Sequence, residues 1–219
     1  MHKNNVYIVD DHEIFRDGLK SIINNEEIGL VIGEAKNGQE FLDKLDLEEN
    51  IPDIVLMDID MPIMNGVEAT RLAIERYPEL KVLALTMFGD ESYYYKMVDA
   101  GAKGFLLKTS GITDLENAIA TVSGGDVFFS SEILHRIIST FNRRTSNNLS
   151  AASAAKLTER EHEILKLICN GFTNERIGEE LFISPQTVKG HRSKLLEKTG
   201  SNNTASLVIY AIKNNIIEL

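Results

Sequence analysis

Over the first 125 residues, short apolar runs alternate with amphipathic stretches. The runs near 5–9, 30–33, 53–57, 81–85 and 103–107 have the length and composition of buried strands. The stretches 12–25, 38–48, 66–77, 91–100 and 113–123 space their apolar positions as helices do. Five such βα units predict a doubly wound α/β domain built on a five-stranded parallel sheet. Thr113 and Glu116 have capping-box spacing, which predicts the start of the fifth helix.

Beyond residue 156 only helical periodicity remains. Thr158 and Glu161 form a second capping-box pattern ahead of the stripe Ile164, Leu165 and Ile168, and Gly171 ends that helix. Thr173 is placed to cap TNERIGEELF, Ser184 with Pro185 at the first helical position opens SPQTVKGHRSKLLEK, and Asn203 caps TASLVIYAIKNN. Four short helices, with a tight ISP turn before the third, predict a small all-α helix-turn-helix domain. The expected organisation is therefore 1–125 for the α/β domain, 126–156 for a linker, and 157–219 for the helical domain. Within the linker, SSEILHRIISTF (130–141) is amphipathic and suits a further helix, whereas NRRTSNNLSAASAAK is polar and short of bulky apolar residues.

Composition adds little until charge is divided along the chain. The 219 residues are 43% hydrophobic and 26% charged, as in ordinary water-soluble proteins. No run approaches the roughly 18–20 apolar residues of a membrane span, and MHKNNVYIVDD meets charge too early for a signal peptide, so a cytoplasmic protein without a membrane partner is expected. The single cysteine, Cys169, sits in the apolar pattern LKLIC and reads as a small core residue. The net charge of −10 comes from the first part: residues 156–219 hold nine Lys and Arg against eight Asp and Glu. An acidic domain is thus joined to a nearly neutral one.

The acidic part concentrates its chemistry at strand ends. Asp10 and Asp11 follow VYIV, Asp58 follows DIVLM, Thr86 ends VLALT, and Lys108 follows GFLL. A parallel sheet gathers these positions at its carboxyl edge, where open α/β sheets bind ligands. Clustered carboxylates repel one another unless cations lie among them. Asp10 and Asp11 suit Mg²⁺, a hard cation that takes oxygen ligands, and Asp58 suits nucleophilic attack on phosphorus. Lys108 and Thr86 can neutralise and hydrogen-bond phosphoryl oxygens.

In the helical part, the third helix turns Val188, Leu195 and Thr199 to one face, with Arg192 at its edge. Gln186, Gly190, Ser193 and Lys194 face outward, with Lys189 on the flank. Small and polar side chains permit close approach to base edges, while Lys189, Lys194 and Lys198 can meet phosphates.

VDDHEIFRDGL, DIVLMDIDMPIMNGVEAT, VLALT and AGAKGFLLKTS, within residues 4–125, resemble the receiver domain of two-component response regulators, a flavodoxin-like fold. LTEREHEIL, GFTNERIGEELFIS and TVKGH, within 157–214, resemble the LuxR-type helix-turn-helix. The joint resemblance implies a transcription factor whose Asp58 accepts a phosphoryl group from a sensor histidine kinase. It implies Mg²⁺ held by Asp10, Asp11, Asp58 and the backbone carbonyl of Asp60, with Thr86 and Lys108 on the phosphoryl group and Phe105 as the switch aromatic. Lys189, Gly190 and Ser193 would face bases of promoter DNA, with Thr187 and His191 near its backbone, and phosphorylation would promote a homodimer. No enzymatic activity is implied beyond phosphorylation and autodephosphorylation of Asp58.

Several positions depart from the family's pattern. Thr109 replaces a proline preceded by a cis bond, which without proline costs about 3–4 kcal/mol. Phe88, two residues after Thr86, is bulky and suits shielding an acyl phosphate from water, and Asp60 adds charge beside the site. Arg192, Thr199 and Thr204 stand where an apolar residue, Leu and Arg are usual. Two other readings remain: a DNA-binding regulator with a vestigial receiver, and a phosphohydrolase using Asp58 as nucleophile with Asp60 as acid. The second requires Thr or Val at the position held by Pro62 and leaves the C-terminal helices without a role.

Overall fold

The computed structural model describes residues 3–47, 51–87, 92–130, 132–133, 157–170, 172–201, 203–214 and 216. Phe88, Gly171, most of the expected 130–141 helix and the polar linker after it lie outside the described residues. The chain forms two compact units, Met1–Ser130 and Ser131–Leu219.

The first unit is a parallel α/β domain. Its strands are β1 (Asn5–Val9), β2 (Leu30–Ala35), β3 (Ile54–Asp58), β4 (Val82–Thr86), β5 (Gly104–Leu107) and β6 (Phe128–Phe129). Its helices are α1 (Glu13–Asn25), α2 (Gly38–Leu45), α3 (Gly66–Arg76), α4 (Ser92–Asp99) and α5 (Ile112–Ser123). The sheet order is β2-β1-β3-β4-β5-β6, with every pairing parallel. β3 and β4 are buried along their whole length because helices cover both faces, which explains their unbroken apolar runs. Val6, Ile8, Leu56, Leu83, Leu85 and Leu106 form one core face with Leu19 and Ile23 of α1 and Leu115 and Ile119 of α5. On the other face the Tyr7 ring meets Phe41 of α2 edge-on, 5.2 Å between centroids.

Two details differ from the sequence pattern. The fifth helix begins at Ile112 with Gly111 at its N-cap, so Thr113 is already inside the helix and caps nothing. Gly111 serves because an N-cap needs extended backbone and glycine is tolerated there. The sheet also has a sixth strand, since Phe128 and Phe129 pair with Gly104 and Phe105. Two residues give no readable periodicity.

The second unit contains, among the described residues, α6 (Glu159–Cys169), α7 (Asn174–Leu181), α8 (Pro185–Thr199) and α9 (Thr204–Lys213). The expected caps form: Thr158 with Glu161, Thr173, Ser184 ahead of Pro185, and Asn203, the last in a capping box with Ser206. Ile164, Leu165, Ile168, Ile177, Val188, Leu195, Leu207 and Val208 are buried between the helices. Cys169 joins them, and burial pushes its thiol up to about 12. The α7–α8 turn is tight because Gly178 has no side chain: a Cβ there would lie 2.7 Å from the Ile183 carbonyl oxygen. No helix among the described residues is long and apolar enough to cross a membrane.

Candidate functional site

The topology brings the chemistry-bearing residues of the first unit together. Strand order reverses between β1 and β3, which opens a crevice at their carboxyl ends. Asp10 directly follows β1, Asp58 ends β3, Thr86 ends β4, and Lys108 directly follows β5. The pairings of Asp58 with Leu85 and of Thr86 with Leu107 set these ends level.

Lys108 organises the acids. Its ammonium lies 2.6 Å from Asp10 Oδ2 and 2.8 Å from Asp58 Oδ2, and all three side chains are almost wholly buried. Its stem passes the Phe15 ring, with Nζ 5.0 Å from the ring centre. Burial pushes the Asp58 carboxyl up to about 6 against the opposing pull of Lys108, and the neighbouring Asp10 charge adds to the rise. Burial alone would depress the Lys108 ammonium, but contacts with Asp10 and Asp58 outweigh it and hold the group above its ordinary value.

The site fits a divalent cation. Asp10 is fully buried, and its Oδ2 meets the Lys108 ammonium without an aligned hydrogen bond. Ligand atoms of Asp10, Asp11, His12 and Asp58 all lie within 4.8 Å of one another. Three carboxylates against one lysine leave an uncompensated negative charge that a hard cation would neutralise. Asp60 lies two residues past Asp58, in the exposed bend that leads to α3. Gly66 lets α3 return close beneath: its amide donates to the Ile59 carbonyl at 2.9 Å, and a Cβ would sit 2.0 Å from the Asp58 carbonyl oxygen.

Thr86 is buried and donates its hydroxyl to the Met87 carbonyl at 2.6 Å. Phe105 is fully buried, edge-on to Tyr94 of α4 at 5.3 Å and stacked on Phe129 of β6 at 5.6 Å. The Lys108–Thr109 peptide bond is trans, so the departure from proline carries no cis penalty. Beside the site, a groove of about 500 Å³ is lined by His12, Phe15, Leu19, Lys108 and Ile112 among others.

Three contributors were not apparent in the sequence. Arg16 donates to the backbone carbonyl of Asp10 at 2.8 Å and pairs with Glu34 at 3.5 Å, tying the β1 end to α1 and β2. Its position four residues past His12, one turn along α1, was the available signal. His12 turns toward the acids, and Gly66 is required by backbone proximity, which no spacing announces.

In the second unit α8 keeps Val188 and Leu195 inward and leaves Gln186, Thr187, Lys189, Gly190, Ser193 and Lys194 exposed, with His191 half-buried. A Cβ on Gly190 would meet nothing within 4 Å, so this face is open. Lys198, though exposed, is engaged: its ammonium lies 2.8 Å from both carboxylate oxygens of the buried Glu161. That pairing and the Thr158 amide hold Glu161 at about 2. Arg192, at an ordinarily apolar position, donates to the Phe172 carbonyl at 2.9 Å, and Thr199 donates to the Leu195 carbonyl at 2.7 Å.

Residues 6–120 match the response regulator receiver domain, and residues 155–211 match the luxR family of bacterial regulatory proteins. The transcriptional regulatory protein DegU of Brevibacillus brevis is 36% identical, over all of this chain and 97% of its own length. LiaR, a transcriptional regulatory protein of Bacillus subtilis, is 37% identical over 97% of this chain and 98% of its own. Among solved structures, ChrA, the response regulator of a heme-sensing two-component system, aligns with 99% of this chain and 100% of its own at 30% identity and a TM-score of 0.54.

Proposed function

The chain belongs to the bacterial response regulators that join a receiver to a LuxR-family DNA-binding domain and regulate transcription, and on that premise we propose that Asp58 is the phosphoacceptor controlling DNA binding by α8. The observation that carries this reading is the Lys108 ammonium shared between Asp10 and Asp58 at 2.6 and 2.8 Å. A lysine so placed leaves Asp58 as a carboxylate beside a movable positive charge.

The donor is a phosphohistidine on a sensor histidine kinase. An Asp58 oxygen attacks phosphorus, the P–N bond breaks, an acyl phosphate forms, and the departing imidazole takes a proton from solvent. A carboxyl at about 6 is mostly ionised at neutral pH and therefore competent to attack. Lys108 turns from the carboxylate to a phosphoryl oxygen, and Thr86 exchanges the Met87 carbonyl for another. Asp10, Asp11, Asp58 and the backbone carbonyl of Asp60 would hold Mg²⁺, which when bound neutralises charge building on the phosphoryl oxygens. The exposed apolar side chains of Ile14 and Ile112, which line the groove beside the site, supply a docking surface for the kinase. Slow hydrolysis of the acyl phosphate is the only other covalent chemistry proposed, in a protein working in the cytoplasm.

Movement of Thr86 changes the packing of Phe105 between Tyr94 and Phe129, so a local bond alters the surface of α4, β5 and β6. That change promotes a homodimer, and two copies of α8 then bind neighbouring half-sites of promoter DNA. Lys189, Gly190 and Ser193 face bases, and Thr187, His191 and Lys194 lie toward the phosphates. Lys198 serves α8 as an anchor to Glu161 instead of meeting phosphate. Incubation with acetyl phosphate and Mg²⁺ tests the reading: the wild type gains one phosphoryl group by mass and shifts promoter DNA at lower concentration. Equal labelling of Asp58→Asn would overturn it.

A further inference from the structure

The acidic cluster also contains a nitrogen donor. His12 occupies the N-cap of α1, yet its side chain makes no capping hydrogen bond. Instead its Nδ1 lies 2.9 Å from Asp11 Oδ1 and 3.2 Å from Asp10 Oδ1. The backbone fixes it there, because the His12 amide donates to the same Asp10 Oδ1 at 2.9 Å. Ligand atoms of Asp10, Asp11, His12 and Asp58 lie within 4.8 Å of one another, slightly wider than a single coordination shell, so a small rotation of the exposed Asp11 and His12 side chains would close the four on one ion. Ligands at about 2.1 Å on opposite sides of an ion stand roughly 4.2 Å apart.

We propose that His12 is a ligand of the acidic site, and that its imidazole gives this receiver a marked preference for nitrogen-accepting cations of the first transition row, such as Co²⁺, Ni²⁺ and Zn²⁺, over Mg²⁺. The proposal rests on the reading of Asp10, Asp11 and Asp58 as a cation site and adds the identity of the cations it holds best. The chemistry is direct. Mg²⁺ takes oxygen ligands and keeps several waters, so an imidazole adds little to its binding. Transition cations bind imidazole well, and their affinity rises along the series toward copper. Replacing a water by Nδ1 needs only that the ring proton sit on Nε2, which faces away from the carboxylates when Nδ1 points at them. With the His12 side chain 69% exposed, the ring can make this adjustment without repacking the core.

Titration of the full-length protein with Co²⁺ and Mg²⁺ by calorimetry, with the visible absorption of Co²⁺ as an independent reading of nitrogen ligation, tests the assignment. Losing an outer partner of a metal ligand already costs 10–100-fold in affinity, so His12→Ala is expected to lower Co²⁺ affinity by at least about tenfold. It should also shift the Co²⁺ band while leaving Mg²⁺ affinity essentially unaltered. His12→Asn, which keeps a polar side chain without an imidazole, should behave like His12→Ala, and Asp11→Asn should weaken both cations. Unchanged Co²⁺ affinity and absorption in His12→Ala would overturn the inference while Mg²⁺ binding stood. Undiminished Co²⁺ binding by Asp11→Asn would overturn it by placing the ion elsewhere. A wild type that binds neither cation would instead sink the metal reading of the acidic site, and this inference with it.

Discussion

Lys108 faces Asp58 at 2.8 Å in a site that hides both side chains from water, and the carboxylate still sits at about 6. One lysine shared with Asp10 does not offset the cost of burying the Asp58 charge. The folded-state value lies above the unfolded one, so Asp58 favours the folded state at acid pH. That contribution is lost as pH rises from about 4 through 6. Asp58→Asn, which carries no charge and leaves Lys108 with Asp10, should therefore stabilise the receiver at pH 7 by about 1–3 kcal/mol in the absence of divalent cations. Urea unfolding in EDTA at pH 7 and pH 4 checks this: the gain should be large at pH 7 and small at pH 4.

Removing the lysine has the opposite sign. Lys108→Ala leaves two buried carboxylates, Asp10 and Asp58, facing each other with no ammonium between them, and should cost about 3–5 kcal/mol at pH 7. Because the loss arises from uncompensated charge, Mg²⁺ or the added change Asp58→Asn should restore much of it. Thermal unfolding of the single and double variants, with and without Mg²⁺, separates this from simple loss of packing, which neither addition would repair.

The elements that were legible in the sequence were those whose signal is local. The strands β1, β3, β4 and β5 read as continuous apolar runs because both faces are covered, and Thr158, Thr173, Ser184 and Asn203 announced their helices because capping is a property of three or four neighbours. Asp10, Asp58, Thr86 and Lys108 were legible because a parallel sheet has one carboxyl edge. Contacts between distant positions were not. Arg16 reaches the Asp10 carbonyl, Lys198 pairs with Glu161 on another helix, and β6 pairs with β5 where Phe129 stacks on Phe105. Thr113 misled because its spacing to Glu116 suits a cap, while Gly111 had already supplied the extended residue.

Glu161 links acid stability to the position of α8. Lys198, followed by the Thr158 amide, holds its carboxyl at about 2, below the ordinary glutamate value. The folded-state value is lowered, so the stabilisation is present above about pH 4.5 and lost as pH falls toward 2. Glu161→Gln should cost about 1–3 kcal/mol at pH 7. It should also flatten the pH dependence between 2 and 5. Hydrogen exchange of the α6 and α8 amides in the full chain reads both effects, and an unchanged acid limb in the variant would refute the assignment.

Two bulky residues hold a positive φ: Ile63 at φ 69°, at the centre of a γ-turn closed by the Met64 amide on the Pro62 carbonyl at 2.8 Å, and Phe182 at φ 55° in the left-handed region at the end of α7. Both side chains are exposed, so no packing offsets the strain. Ile63→Gly and Phe182→Asn should each raise stability by about 1 kcal/mol, since glycine carries no Cβ into the strained γ-turn and asparagine visits the left-handed region readily. Chemical denaturation followed at each unit checks this, and destabilisation by either change would show that the side chain is held for a contact.

The lysines of α8 should divide by salt dependence. Lys189 and Lys194 are exposed on the open face beside Gly190 and Ser193, whereas the Lys198 ammonium is held by Glu161. A lysine on phosphate releases about one counterion, so losing it reduces the slope of log affinity against log salt by about 1. Lys194→Ala should show that reduction, with uniformly weaker binding to promoter and random DNA, whereas Lys189→Ala, on the base-facing side, should weaken promoter binding more than random DNA. Lys198→Ala should leave the slope unchanged and instead loosen α8 against α6, so its weaker binding should be accompanied by faster hydrogen exchange at Leu195 and Leu196. Fluorescence anisotropy of labelled promoter DNA between 50 and 200 mM salt, on the order of the range where such slopes are measured, resolves the two classes. A slope for Lys198→Ala reduced as much as that of Lys194→Ala would show that the Glu161 pairing opens on DNA and that Lys198 reaches the phosphates after all.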